Sequence, residues 1–165
     1  VPRASADNRA PPAPDSPAAL KRRALGLLAR REHSRAELAR KLGPHAASTE
    51  ALEALLDAFV EKRLLSDARY AEERARVLAR KYGSARIRQD LKAKGVAPEI
   101  VERLSAEGEL ARAVAIVRRR YPAPAQTPEE RARRIRFLQG RGFSYDTIRA
   151  ALRGDADLDR DPDES

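Results

Sequence analysis

The residues best equipped for catalysis in this chain do not meet at catalytic spacing. His33 and His45 stand twelve positions apart near the expected ends of helices, where an imidazole ordinarily faces solvent and interacts with terminal carbonyls. The acidic pairs Glu72-Glu73 and Glu129-Glu130 suggest a carboxylate metal site. Yet neighbours on a helix diverge by about 100°, and no His or Asp joins either pair at ligand spacing. HxxxH, HExxH, GxSxG, Walker and dinucleotide-binding patterns are all missing from the sequence. The expectation is a protein that is not an enzyme and takes no metal and no cofactor.

What recurs is positive charge, whose chemistry is recognition of phosphate and carboxylate. Residues 74–94 supply Arg74, Arg76, Arg80, Lys81, Arg86, Arg88, Lys92 and Lys94; residues 118–141 add Arg118, Arg119, Arg120, Arg131, Arg133, Arg134, Arg136 and Arg141. A guanidinium is a planar fork that fits either anion, so the same residues suit DNA phosphates or an acidic protein face. Arg88 and Lys92 share a helical face distinct from that of Ile87 and Leu91, and Arg133 with Arg136, or Arg134 with Arg141, align at helical spacing. With the apolar positions turned inward, these charged heads are expected on the surface. The plain alternative is a solvated Arg-rich surface interleaved with Glu72, Glu73, Glu102 and Glu130.

The elements that must carry these cations read as helices throughout. Leu20, Ala24, Leu27 and Leu28 fall on one face of residues 18–31; His33-Ser34 breaks the pattern, and Ser34 with Glu37 makes a capping-box signature ahead of Leu38 and Leu42. Ser48 or Thr49 starts a third helix with Leu52, Leu55, Leu56, Phe59 and Val60 as its stripe. The arrangement then repeats. Ser66 caps a helix lined by Ala68, Ala71, Ala75, Leu78 and Tyr82, Gly83-Ser84 opens a short one with Ile87 and Leu91, and Gly95 ends it before Ile100, Val101 and Leu104. A third pass places Leu110, Val114, Val117 and Tyr121 on one helix, reads Thr127-Pro128-Glu129-Glu130 as a helix start, and closes with Ser144, Ile148 and Leu152. "LKAKGVAPEIVERL" and "LQGRGFSYDTIRAAL" echo each other in Leu, Gly and capped helix. A loose period of about 45 residues therefore predicts an all-α fold of three tandem three-helix repeats with helix-turn-helix-like units, elongated or curved, against the alternative of a single nine-helix globule.

The boundaries follow: a disordered extension over 1–17, repeats over 18–65, 66–106 and 107–154, and an acidic tail over 155–165. The chain has 165 residues and a net charge of +9, with neither Cys nor Met. This composition excludes disulfides and a cysteine nucleophile and fits a reducing cytoplasm. The proline-rich start lacks a leader-like apolar stretch, and no run is long enough to span a bilayer. Charge is uneven: the tail carries six acids and one Arg, for a net of −5, while the rest reaches +14. Such a body attracts polyanions or acidic proteins. The tail is either solvated or competes for that surface.

Residues 60–104, "EKRLLSDARYAEERARVLARKYGSARIRQDLKAKGVAPEIVERL", resemble the RecX family of recombination regulators. Leu65, Asp67, Arg69, Tyr70 and Ala71 match its Leu-Asp-Asp-x-Arg-Phe/Tyr-Ala region, with Ser66 where an acid is common; Gly83, Arg86, Ile87, Leu91, Lys94, Gly95 and Ile100 follow in order. The earlier "ALGLLARREHSRAELARKL" and the later "RRIRFLQGRGFSYDTIRAAL" extend the likeness over residues 18–153. The resemblance implies a cytoplasmic, monomeric, non-enzymatic protein that binds the RecA recombinase and its filament on single-stranded DNA, with direct DNA contact through its basic surfaces. It also implies inhibition of ATP hydrolysis, strand exchange and the coprotease activity that triggers the SOS response. The residues expected to contact partner or phosphate are Arg74, Lys81, Arg86, Arg88, Lys92, Lys94, Arg118, Arg119, Arg133, Arg134, Arg136 and Arg141. Tyr70 serves either packing or contact. The competing functional reading is a helix-turn-helix DNA regulator acting without the recombinase.

Overall fold

A computed structural model describes residues 13–153; residues 1–12 of the expected extension, Gly154 and the acidic tail 155–165 lie outside them. The described residues form nine α-helices in three successive groups of three. The first holds α1 (Pro17–Leu28), α2 (Arg35–Leu42) and α3 (Thr49–Glu61), with a 3-10 turn (Gly43–His45) after α2. The second holds α4 (Asp67–Ala79), α5 (Ser84–Ala93) and α6 (Pro98–Ala106), and the third α7 (Glu109–Arg120), α8 (Pro128–Gly140) and α9 (Tyr145–Ala151).

Hydroxyl caps set most of the helix starts. Ser16, Ser34, Ser48, Ser66, Thr127 and Ser144 each accept a hydrogen bond from the amide three residues on, at 3.1–3.3 Å. Each satisfies a donor that would otherwise lack an intrahelical partner. Helix α1 thus begins at Pro17, its cap inside the expected extension. The capping box at Ser34 is only half built. Ser34 Oγ takes the Glu37 amide, but the Glu37 carboxylate turns to Arg31 and Lys41.

Each group has its own apolar cluster. Leu20, Ala24, Leu38, Leu42, Leu52, Leu56, Phe59 and Leu65 fill the first; Tyr70, Ala71, Ile87, Leu91, Val96 and Val101 lie in the second; Ala113, Ile116, Val117, Leu138, Phe143, Ile148 and Leu152 fill the third. Three separate clusters, each closed by three helices, are the architecture of repeats rather than of one globule. Three sequence expectations shift. In α7 the buried face is Ala113, Ile116 and Val117, leaving Leu110 46% exposed, and in α3 Val60 is likewise 46% exposed. His33 was expected in solvent and is instead 2% exposed.

Polar junctions hold successive groups in register, and the two junctions follow one pattern. At the first, Arg35 N, the opening amide of α2, donates to the carboxylate of Asp67, the opening residue of α4, at 2.6 Å. At the second, Ser84 N, the opening amide of α5, donates to Glu109, the opening residue of α7, at 2.9 Å. An acid leading one unit therefore caps the middle helix of the preceding unit. A second rung repeats as well: Ser34 Oγ donates to Lys94 O at 2.7 Å, and Gly83 N donates to Arg141 O at 2.9 Å. The residues that follow those carbonyls, Gly95 and Gly142, have φ of +73° and +80°. That left-handed turn is cheap only for glycine. It also admits the neighbouring unit, since a Cβ on Gly95 would lie 2.6 Å from Ala36 Cβ and one on Gly142 would lie 2.9 Å from Arg86 N.

Candidate partner and nucleic-acid interface

In the middle unit Arg74, Arg88 and Lys92, half of the expected contact residues, already hold anions. Arg74 sits bidentate on Asp90, with both nitrogen–oxygen distances 2.8 Å. That hydrogen bond, opposed by desolvation, holds the Asp90 carboxyl below its usual range. Arg88 Nε reaches Glu102 at 2.9 Å and Lys92 Nζ lies 3.8 Å from the same carboxylate. The helical face shared by Arg88 and Lys92 is therefore a triad with one net positive charge. Lys81, Arg86 and Lys92 are exposed, whereas Arg74, Arg88 and Lys94 are half-buried. Arg86 lies 5.9 Å from the Tyr82 ring centre, a cation–π distance.

The last unit is more open. Arg118, Arg119, Arg120, Arg133 and Arg136 are exposed on the end of α7 and along α8. Arg141 is half-buried: its guanidinium lies 4.5 Å from the Phe137 ring centre and Nη1 donates to Lys81 O at 2.9 Å, joining the second and third units. Arg134 corrects the expectation that every charged head reaches the surface, being 7% exposed. The connection after α7 folds back over α8. It lays Tyr121 5.1 Å from the Arg134 guanidinium and offers Ala123 O as an acceptor at 2.8 Å. A weakly hydrated, flat cation tolerates such burial where a Lys would not. Tyr121 in turn meets Phe137 edge-on, with ring centres 5.7 Å apart.

Tyr70 is 6% exposed within the second cluster, and burial pushes its phenol upward. Its place is packing, at the floor of a groove between the first and second units that Arg31, Glu37, Glu73 and Arg74 also line. Sequence reasoning missed the role of three polar positions, Glu37 and His33, which are buried, and Glu109, which is half-buried. Glu37 accepts from Arg31 at 3.1 Å and lies 3.3 Å from Lys41 Nζ; the Arg31 hydrogen bond outweighs burial and holds its carboxyl down to about 2. His33 Nδ1 faces Arg31 O at 3.0 Å and Nε2 faces Lys41 Nζ at 3.3 Å, and burial lowers its pKa. Glu109 receives Ser84 N at 2.9 Å, Ser144 Oγ at 3.0 Å and Thr147 Oγ1 at 2.7 Å. For Glu37 the half-formed capping signature was a signal; for Glu109 the sequence offered none beyond an acid at a helix start.

Among the described residues no three His, Cys, Asp or Glu side chains gather where they could hold a metal ion. Nor is any described helix long and apolar enough to cross a membrane.

Comparison with known proteins agrees with this architecture. Residues 66–104 match the second three-helix domain of RecX and residues 107–152 match the third. The chain is 44% identical over 150 residues to the regulatory protein RecX of Ralstonia nicotianae (strain ATCC BAA-1114 / GMI1000), covering 88% of this chain and 94% of that one. It is 41% identical over 157 residues to the regulatory protein RecX of Ralstonia pickettii (strain 12J), covering 93% and 99%. The crystal structure of RecX from Lactobacillus salivarius superposes with a TM-score of 0.73 at 20% identity, over 85% of this chain and 96% of that chain, so the fold is shared. With its repeated three-helix units and relatives at this identity over nearly their whole length, the chain belongs to the RecX family of regulatory proteins.

Proposed function

We propose that this protein binds the RecA recombinase and its filament on single-stranded DNA and there inhibits ATP hydrolysis, strand exchange and SOS coprotease activity. It does so without catalytic groups of its own, as a cytoplasmic monomer. The observation that carries this reading, beside membership of the family, is that exposed cations are mounted on units whose junctions fix them in register. Lys81, Arg86 and Lys92 stand on the middle unit, and Arg118, Arg119, Arg133 and Arg136 on the last. The units over 18–65, 66–106 and 107–154 form an elongated body that lies along the filament groove and bridges adjacent subunits. Bridging opposes the subunit movement that accompanies nucleotide turnover, and phosphate contacts from the same arginines add a salt-dependent component. Arg74, Arg88, Lys94 and Arg141, already paired or packed, position the surface, and Arg134 and Tyr70 support it from within.

The test is titration of the protein into RecA filaments on single-stranded DNA, following ATP hydrolysis and filament occupancy together against a salt-matched DNA-only control. Inhibition below one protein per recombinase, beyond what DNA competition explains, supports the reading. No effect at saturation by folded protein refutes it and favours a DNA regulator, which would protect a defined duplex sequence. Within the same assay, Arg88→Ala with Lys92→Ala is expected to weaken inhibition while leaving helicity intact. Unchanged inhibition removes that face from the mechanism.

A further inference from the structure

We propose that Arg63, with the exposed Val60 beside it, forms a docking site for a polypeptide segment of the recombinase that presents one carboxylate next to a large apolar side chain. The site is a groove between the first and second units, and the proposal rests on the recombinase reading above.

Arg63 is set apart by its backbone. It is the second residue beyond α3 and has a φ of +54°, the one positive φ on a non-glycine among the described residues. The corresponding residue of the next unit, the second beyond α6, is Gly108 with a φ of +62°. A left-handed turn after a helix is cheap for glycine and strained for a residue with a Cβ. Space does not demand glycine there, since a Cβ on Gly108 would meet only Arg112 Nη1, at 3.9 Å. The two linkers thus make the same turn, one with the residue that suits it and the other with an arginine held against its preference. Hydrogen bonds fix that conformation: Arg63 N donates to Val60 O at 2.9 Å and Leu64 N donates to Phe59 O at 2.8 Å. Backbone strain of this kind concentrates at ligand clamps and switch regions.

The side chain itself has no task within the described protein. Among the described residues it makes no hydrogen bond, ion pair or ring contact, although it lines a groove with Arg35, Val60, Leu65, Asp67 and Arg69. The other two cations of the groove are already neutralised, Arg35 by Glu53 and Asp57 and Arg69 by Glu32. Asp67 is engaged by Arg35 N. Arg63 is therefore the free charge. Around it Val60 and Leu64 are exposed apolar side chains, and Leu65 is buried beneath.

These features select the chemistry of the occupant. One unpaired guanidinium complements one carboxylate, and the apolar surface at its side takes a large apolar side chain out of water. A nucleic-acid strand fits less well. Its successive phosphates would meet the carboxylates of Glu32, Glu53 and Asp57 around the groove, and no aromatic ring lines it to stack a base.

Arg63→Gly separates strain from contact. The melting temperature is expected to rise by about 2–4 °C, because the turn then suits its residue. The protein concentration that half-inhibits ATP hydrolysis by RecA filaments on single-stranded DNA is nevertheless expected to rise about tenfold. Arg63→Glu keeps the strain and reverses the charge, so it should melt near wild type and inhibit still less. Val60→Ser, at an exposed position, should also weaken inhibition. Affinity for a single-stranded oligothymidylate, read by fluorescence anisotropy, should match wild type for Arg63→Gly and Val60→Ser. Inhibition by folded Arg63→Gly or Arg63→Glu equal to that of wild type overturns the proposal. A parallel loss of oligothymidylate binding assigns the groove to phosphate and overturns the polypeptide occupant. Wild type that leaves ATP hydrolysis unchanged at saturation defeats the recombinase reading itself, and this site with it.

Discussion

Replacement of Glu109 by Gln tests the idea that one carboxylate locks the second unit to the third. Glu109 caps α5, whose own cap position is Gly83 and carries no side chain, and it binds Ser144 and Thr147 at the start of α9. Burial opposes its ionisation. The backbone hydrogen bond from Ser84 and the hydroxyl of Thr147 prevail, and its carboxyl is held from an ordinary 4.5 down to about 2. At about 1.4 kcal/mol per pH unit, a shift of this size corresponds to about 3 kcal/mol; the half-exposed position discounts it to about 2 kcal/mol. A depressed carboxylate contributes its stability fully above its unfolded pKa and loses it as pH falls through the folded one. The difference in unfolding free energy between wild type and Glu109→Gln should therefore be constant above pH 4.5 and close progressively towards pH 2. At neutral pH the loss should lower the melting temperature by roughly 5 °C in a chain of this size. Melting by circular dichroism across that pH range measures it, and hydrogen exchange should localise it to Ser84 and Ser144. A variant as stable as wild type at pH 7, with unchanged exchange at both amides, refutes the lock.

Gly83 tests the same junction sterically. Its φ of −85° is ordinary, but an added Cβ would lie 2.5 Å from Gly142 O and Phe143 N, both backbone atoms. Gly83→Ala should therefore cost about 1–3 kcal/mol in urea unfolding, and a wild-type midpoint would disprove the close approach. His33, buried against Arg31 O, Lys41 and Glu37, is held neutral, so its stability contribution is complete above the unfolded pKa of 6.5 and declines as pH falls below it. An imidazole titration observed by NMR at or above 6.5 would contradict that burial. Arg134→Ala should destabilise by about 2 kcal/mol through loss of the stack on Tyr121 and the bond to Ala123 O, whereas Arg136→Ala should stay within about 0.5 kcal/mol. Equal melting temperatures for the two variants would put Arg134 back on the surface.

Local order was legible in the sequence because its causes are local. A hydroxyl three residues ahead of an amide it can accept, a proline at the first helical position, and apolar residues at steps of three and four each act within one turn. Ser34, Ser66, Thr127 and Ser144 therefore cap where their positions said. The recurrence of such starts exposed the repeats, and charge counting found the basic character. The tertiary structure alone decided which cations remain available. Arg74 and Arg88 look no different from Arg86 in sequence. Asp90 lies 16 residues from Arg74 and Glu102 lies 14 from Arg88, and only the packing of one helix on another brings those acids within hydrogen-bond reach. Nor does sequence show that Tyr121 will cover Arg134, or that Asp67 and Glu109 cap helices of the preceding unit. Helix periodicity sets which way a side chain leaves its own helix; what it meets is fixed by the neighbouring units, through contacts 32 residues apart at Arg35–Asp67 and 25 apart at Ser84–Glu109.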